Sequence, residues 1–195
     1  MLPREQRIYT KQQLKQWLDY ELRWYSGGLK AALLITERSI LRRHQILLRK
    51  AEYHQNSGHK IRALFYLLRL LRLQSRHSLN IPRNVCAKGL KIMHLGPILI
   101  NGKAVVGEDC SFHINTALVA GGNNDDAPVL GKGVVIGIGA VVLGGVRVAD
   151  YTAIGANAVV NRDVTETNVA VAGVPARKIS DNGALSWSEK RRLKK

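Results

Sequence analysis

The chain has 195 residues, of which 46% are hydrophobic and 6% aromatic, with 18 glycines and a formal net charge of +16. That apolar content excludes global disorder, and few aromatics with many glycines suit tight turns around small and β-branched side chains. The charge is uneven, with 16 Lys/Arg against 5 Asp/Glu in residues 1–80, 9 against 7 in 81–180 and 5 against 2 in 181–195, so both ends attract anions unless they are merely a solvated basic surface.

The first 80 residues read as helices. Thr10 and Gln13 have capping-box spacing ahead of Leu14, Trp17, Leu18, Leu22 and Tyr25, which fall on one helical face. Ser26-Gly27-Gly28 breaks this helix. A second helix is predicted from about Thr36 to His54, with Ile40, Leu41, Leu47, Leu48 and Ala51 as its apolar set and Asn56-Ser57-Gly58 as its stop. The third, about Lys60 to Arg76, is apolar on most sides and is predicted to be the buried centre of the unit. His44, His54, His59 and His77 lack ligand spacing and read as structural or solvent-facing. The apolar runs around Ala31–Ile35 and Ala63–Leu68 are too short or too interrupted by arginine to span a bilayer, and Met1–Glu5 leads into no signal-peptide-type stretch. The expectation is a cytoplasmic protein that touches a membrane only at its inner face. Cys86 and Cys110 have neither metal nor redox spacing.

After Asn80-Ile81-Pro82 the period becomes six. Apolar anchors recur at Ile100, Val106, Phe112 and Leu118, then at Leu130, Ile136, Val142, Val148, Ile154 and Val160. A small or β-branched residue follows four positions after each, from Ala104 and Cys110 to Ala158 and Val164. Six residues fit neither an α-helix nor a hairpin meander, but they fill one short strand and one turn. Three such units close a triangular coil, so anchors eighteen apart are expected to stack: Phe112, Leu130 and Val148; Ile100, Leu118, Ile136 and Ile154; Val106, Val142 and Val160. Cys110 then reads as a small inward-facing residue.

Two anchor positions break the apolar rule, His94 and Asn124. Asn124 lies in Gly121–Pro128, a polar, glycine-rich stretch predicted to leave the prism as a loop. Ile92 stands eight residues before Ile100, and a two-residue slip there moves His94 from the core to the surface. From the residues alone, His94 is either structural or functional. His113, one coil and one residue further on, is either its neighbour or a surface or subunit contact.

The stretches Leu90–Ile98, Ile154–Asn161 and Ala172-Gly173-Val174-Pro175-Ala176-Arg177 resemble the hexapeptide-repeat acyltransferases, in particular the serine acetyltransferase-like branch of capsule and exopolysaccharide biosynthesis. The similarity runs from about Glu52 to Gly183. It implies a mainly β fold: a left-handed parallel β-helix over 81–180, wound against the usual crossover hand, with a basic α-helical domain over 1–80 and a basic tail over 181–195. It also implies acetyl-CoA as co-substrate, no metal, and a homotrimer, with pairing of trimers left open. By position in the repeat His94 matches the catalytic histidine, with His113 beside it. Ala120, Ile138 and Ala156 match positions along the coenzyme A arm, and Arg177 and Lys178 are expected to face its phosphates. Neither cysteine is placed for an acyl-enzyme.

Three departures bear on the acceptor. Asn80 stands where serine acetyltransferases have the Asp that orients the histidine, Met93 replaces another Asp, and Asp126-Ala127 replaces an Arg-His pair. Asn80, Asn124 and Asp126 are therefore the expected substrate-facing positions. With these losses and a short helical extension, the expected acceptor is a hydroxyl of a saccharide or lipid-linked sugar, near an anionic membrane surface. The alternative is L-serine, as in cysteine biosynthesis. A zinc carbonic anhydrase of the same fold would need a third histidine beside His94 and His113. A non-enzymatic module on a trimeric stalk is the remaining reading, with nucleic acid disfavoured because few aromatics interleave with the basic residues.

Overall fold

The computed structural model describes residues 1–25, 36–122 and 125–185. The predicted Ser26-Gly27-Gly28 break, Asn124 and residues 186–195 lie outside them. Among the described residues three α-helices come first: α1 (Lys11–Glu21), α2 (Glu37–Asn56) and α3 (Lys60–Arg76). Thr10 caps α1 with a full capping box, its hydroxyl accepting from Gln13 N while the Gln13 side chain accepts from Thr10 N. Thr36 and Ser39 make the same reciprocal pair at α2.

Fourteen short strands follow among the described residues. They are β1 (Leu79–Asn80), β2 (Lys91–Ile92), β3 (Ile98–Ile100), β4 (Val105–Val106), β5 (Ser111–Phe112), β6 (Thr116–Val119) and β7 (Val129–Leu130). Then come β8 (Val135–Ile136), β9 (Val141–Leu143), β10 (Arg147–Val148), β11 (Ala153–Ile154), β12 (Val159–Val160), β13 (Ala170–Gly173) and β14 (Ala176–Ser180). They form three sheets, ordered β1-β3-β6-β9-β12, β4-β7-β10 and β2-β5-β8-β11-β13-β14. Pairing is parallel except for β13 with β14. Successive strands move to the next sheet, which winds the chain into a left-handed triangular prism. Every predicted apolar anchor from Ile100 to Val160 is buried, and so are Ala104, Cys110, Thr116, Val134, Ala140 and Ala158 from the second set.

The predicted stacks need correction. Phe112 pairs with Ile136 and Leu118 with Val142, twenty-four residues apart, while Leu130 pairs with Val148 and Ile136 with Ile154, eighteen apart. The Gly121–Pro128 excursion inserts six residues without adding a strand. Columns counted in eighteens across it are therefore displaced by one sheet. Corners also use more than glycine: Asp109, Asn115, Tyr151, Asn157 and Asn168 all have positive φ. Gly137 is required for another reason, since a Cβ there would lie 2.7 Å from the Ile154 carbonyl oxygen.

The helices also differ from expectation. The buried centre is α2, not α3. Leu41, His44, Leu47, Leu48, Arg49, Ala51 and Glu52 are all buried on α2, whereas α3 buries only Leu70, Leu73 and Gln74. Ile61, Leu64, Phe65, Leu68 and Leu71 of α3 are exposed. An apolar helix is central only if neighbours surround it, and α3 lies on the outside of α2. No helix among the described residues is long and apolar enough to cross a membrane.

His44 is enclosed, with the Gln74 amide 3.1 Å from its Nε2. Burial pushes its imidazole down to about 4, against an opposing contribution from Gln45. Between pH 6.5 and about 4 the unfolded chain binds a proton that the folded chain does not, so stability falls as pH drops through this window and levels below it. The expected loss is roughly 3 kcal/mol. Urea melts from pH 7.5 to 4 check it: His44→Asn should flatten the slope, and an unchanged slope would reject the assignment.

Candidate functional site

The turns after β2, β5, β8 and β11 stack at one corner of the prism. The main chain fixes their alignment: Met93 N donates to Phe112 O, His113 N to Ile136 O, and Gly137 N to Ile154 O. Ile98 pairs with Thr116, so the β2–β3 turn spends residues 93–97 where the β5–β6 turn spends 113–115. This is the two-residue slip that the sequence pattern predicts. Gly96 packs onto Ile114, where an added Cβ would come within 2.9 Å of the Ile114 side chain. The surplus residues are pushed outward, and the His94 side chain is 60% exposed. The His113 ring lies 6.1 Å from it, centroid to centroid. Ile138 and Ala156 occupy lower turns of the same corner, both exposed.

The other predicted residues lie elsewhere. Ala120 follows β6 at a different corner, where Gly144 N donates to Val119 O and Asp126 packs against Gly145. Asn80 ends β1, paired with Leu99 and exposed. Lys178 is held in β14 by Glu166 and by Asp181 at 2.6 Å, and exposed Arg177 donates to its neighbour's carbonyl, Ala176 O, at 3.0 Å. One chain therefore gathers His94, His113, Ile138 and Ala156, but not Ala120 or Asp126.

The segment leading to His94 is the first rung of its sheet, with no coil above it. Its main-chain groups bond to helix side chains instead. Arg49 donates to Cys86 O and Ala87 O at 2.9 Å, Glu21 accepts from Gly89 N at 2.9 Å, and Gln45 donates to Leu90 O. Tyr25 accepts from Ile92 N at 2.8 Å and donates to Ile92 O at 3.0 Å. Two residues before His94 the backbone is thus fixed from both sides. Satisfying these buried groups removes the penalty of an open rung.

A residue that the pattern of the sequence did not mark stands at the histidine. Glu37, the first residue of α2, accepts from Leu95 N at 2.6 Å, and the same oxygen lies 3.3 Å from His94 Nδ1. Fifty-seven positions separate Glu37 from His94, and an acidic first turn ordinarily reads as a partner for the helix dipole. The available hint was indirect: the histidine lacked its expected carboxylate at position 80. Among the described residues His94 Nε2 makes no hydrogen bond. Both thiols are sealed in the prism, and burial pushes Cys110 up to about 12, so neither is a ready nucleophile. Among the described residues no group of three or more His, Cys, Asp or Glu is placed to hold a metal ion.

Residues 127–162 match the bacterial transferase hexapeptide family (six repeats). The matched residues span β7 to β12 of the coiled prism. Serine acetyltransferase of Buchnera aphidicola is 32% identical over 136 residues, 68% of this chain and 48% of that protein. Serine acetyltransferase of Synechococcus elongatus is 34% identical over 124 residues, covering 63% and 49%. This chain spans about half the length of these curated relatives. A Brucella abortus serine acetyltransferase solved with coenzyme A superposes with a TM-score of 0.65 at 26% identity, over 88% of this chain and 68% of that one.

These relatives overturn the expected sugar acceptor and its place in polysaccharide biosynthesis: the proteins that the prism and its helices resemble are named for serine. The expectation rested on lost charge partners, above all the Asp replaced by Asn80. A carboxylate nonetheless stands beside His94, from a different element.

Proposed function

We propose that this chain is an acetyl-CoA-dependent serine O-acetyltransferase, with residues 81–180 as the catalytic prism and 1–80 as its helical cap. The observation that carries the reading is the outward-pushed His94, paired at Nδ1 and open at Nε2, in a chain whose relatives bear that name. His94 Nε2 takes the proton of the serine hydroxyl as its oxygen attacks the thioester carbonyl. The tetrahedral intermediate collapses, the carbon–sulfur bond breaks, and His94 returns the proton to the departing thiolate. His113 flanks the reacting atoms. Ile138 and Ala156 line the coenzyme arm on the coils below.

Ala120 and Asp126 belong to another corner, and Asn80 to the rim of the sheet between. A homotrimer with shared sites would lay a second copy corner to corner and bring the two sets together. Arg177 is the better placed cation for a coenzyme phosphate, because Lys178 is already paired with two carboxylates.

The test is thiol release from acetyl-CoA with L-serine, beside a panel of sugars. Release and O-acetylserine with serine, but not with sugars, is expected. Turnover confined to another acceptor would refute the serine reading.

A further inference from the structure

The geometry points to Glu37 as the positioning residue for His94, a carboxylate delivered by the first turn of α2 instead of by the β-helix. The inference rests on the catalytic reading of His94. Three observations converge on it. The Glu37 oxygen nearest the ring also accepts from Leu95 N at 2.6 Å, so the carboxylate is tied to the residue that follows His94 and moves with it. The ring presents Nδ1 to that oxygen at 3.3 Å. The residue two positions before His94 is held by Tyr25, which anchors the strand from which the His94 turn departs.

A carboxylate at Nδ1 favours the neutral tautomer with the proton on that nitrogen. Nε2 then carries the lone pair, as a general base requires. The contact at 3.3 Å is loose, and such contacts tighten when substrate closes the site. Asn80 cannot supply this service: it is uncharged and lies in β1, not at the His94 turn. The helix N-terminus suits the role, because the capping box of Thr36 and Ser39 fixes the backbone that carries the carboxylate. Glu37 is also a tether between the helices and the prism, and the experiment must separate the two roles.

Glu37→Gln does so, since an amide oxygen still accepts from Leu95 N but carries no charge to hold the proton on Nδ1. The expected result is a melting temperature and an acetyl-CoA KM close to wild type, with kcat for serine lowered about 10- to 100-fold. That is less than the ~10⁴-fold for a buried triad Asp, because this pair is half exposed. Glu37→Asp should recover part of the rate. In ¹⁵N spectra of the neutral His94 ring, the wild type should hold the proton on Nδ1, and Glu37→Ala and Glu37→Gln should shift it toward Nε2. Unchanged kcat in Glu37→Gln with an unchanged tautomer overturns the proposal and leaves Glu37 a tether. Should the wild type not acetylate serine, the proposed function fails, yet the tautomer measurement still decides the role of Glu37.

Discussion

Replacing His94 with alanine is expected to lower kcat/KM for acetyl transfer by about 10²- to 10⁴-fold, the range that a positioned general base supplies. Stability should change little. The His94 side chain is 60% exposed, and Gly96 rather than His94 fills the space above Ile114. Substitutions at such surface positions usually stay within about 0.5 kcal/mol. The informative outcome is this dissociation: a fall in turnover with unchanged melting temperature and unchanged coenzyme A affinity. A loss smaller than tenfold would mean that another group takes the hydroxyl proton.

The largest expected effect on stability is at Arg49. Its guanidinium is fully buried and holds Glu21 in a two-pronged contact, with Nη2 to Oε1 at 2.7 Å and Nε to Oε2 at 3.0 Å. It also donates to Glu52 at 2.8 Å and stacks 4.8 Å from the Trp17 ring. Burial alone would lower its pKa, but the carboxylates of Glu21 and Glu52 outweigh burial and hold it above the ordinary value. Arg49→Met strands Glu21 and Glu52 in the interior and frees the Cys86 and Ala87 carbonyls. The expected loss is about 3–5 kcal/mol, a large part of the ~5–15 kcal/mol that holds a typical domain folded. Denaturant titration measures it directly. Adding Glu52→Gln to Arg49→Met should recover part of the loss, because one stranded charge is removed while the acceptor for Asn84 N is kept. A single substitution that shifts the midpoint by less than about 1 kcal/mol would show that the cluster is not fully desolvated.

The prism was legible because its cause is local and repeated. Each anchor and each small partner at six-residue spacing reports one inward position, and Ile92 to Ile100 betrayed the slip that expels His94. The Gly121–Pro128 insertion was legible as a loop but not in its effect on the stacks, since a repeat alone does not say how many residues an excursion consumes. The burial order of the helices was misread because apolar content on α3 says nothing about which faces have neighbours. Buried Arg49, Glu21, Gln45 and Tyr25 were invisible for a related reason: they answer hydrogen-bonding groups of a strand edge 37–68 positions away in sequence, not any pattern of their own. Glu37 escaped notice likewise, and with it the acceptor was misjudged.

The sheet that carries the His94 turn is closed at both ends, which has a consequence for solubility. Parallel rungs stacked with free rims would template one another end to end, as fibril-forming strands do. Here the upper rim is spent on polar side chains of the helices. At the lower one β14 runs backwards against β13 and presents Arg177 to water, so an incoming molecule finds neither a matching direction nor a neutral border. On that sheet the stack stops at one molecule's length.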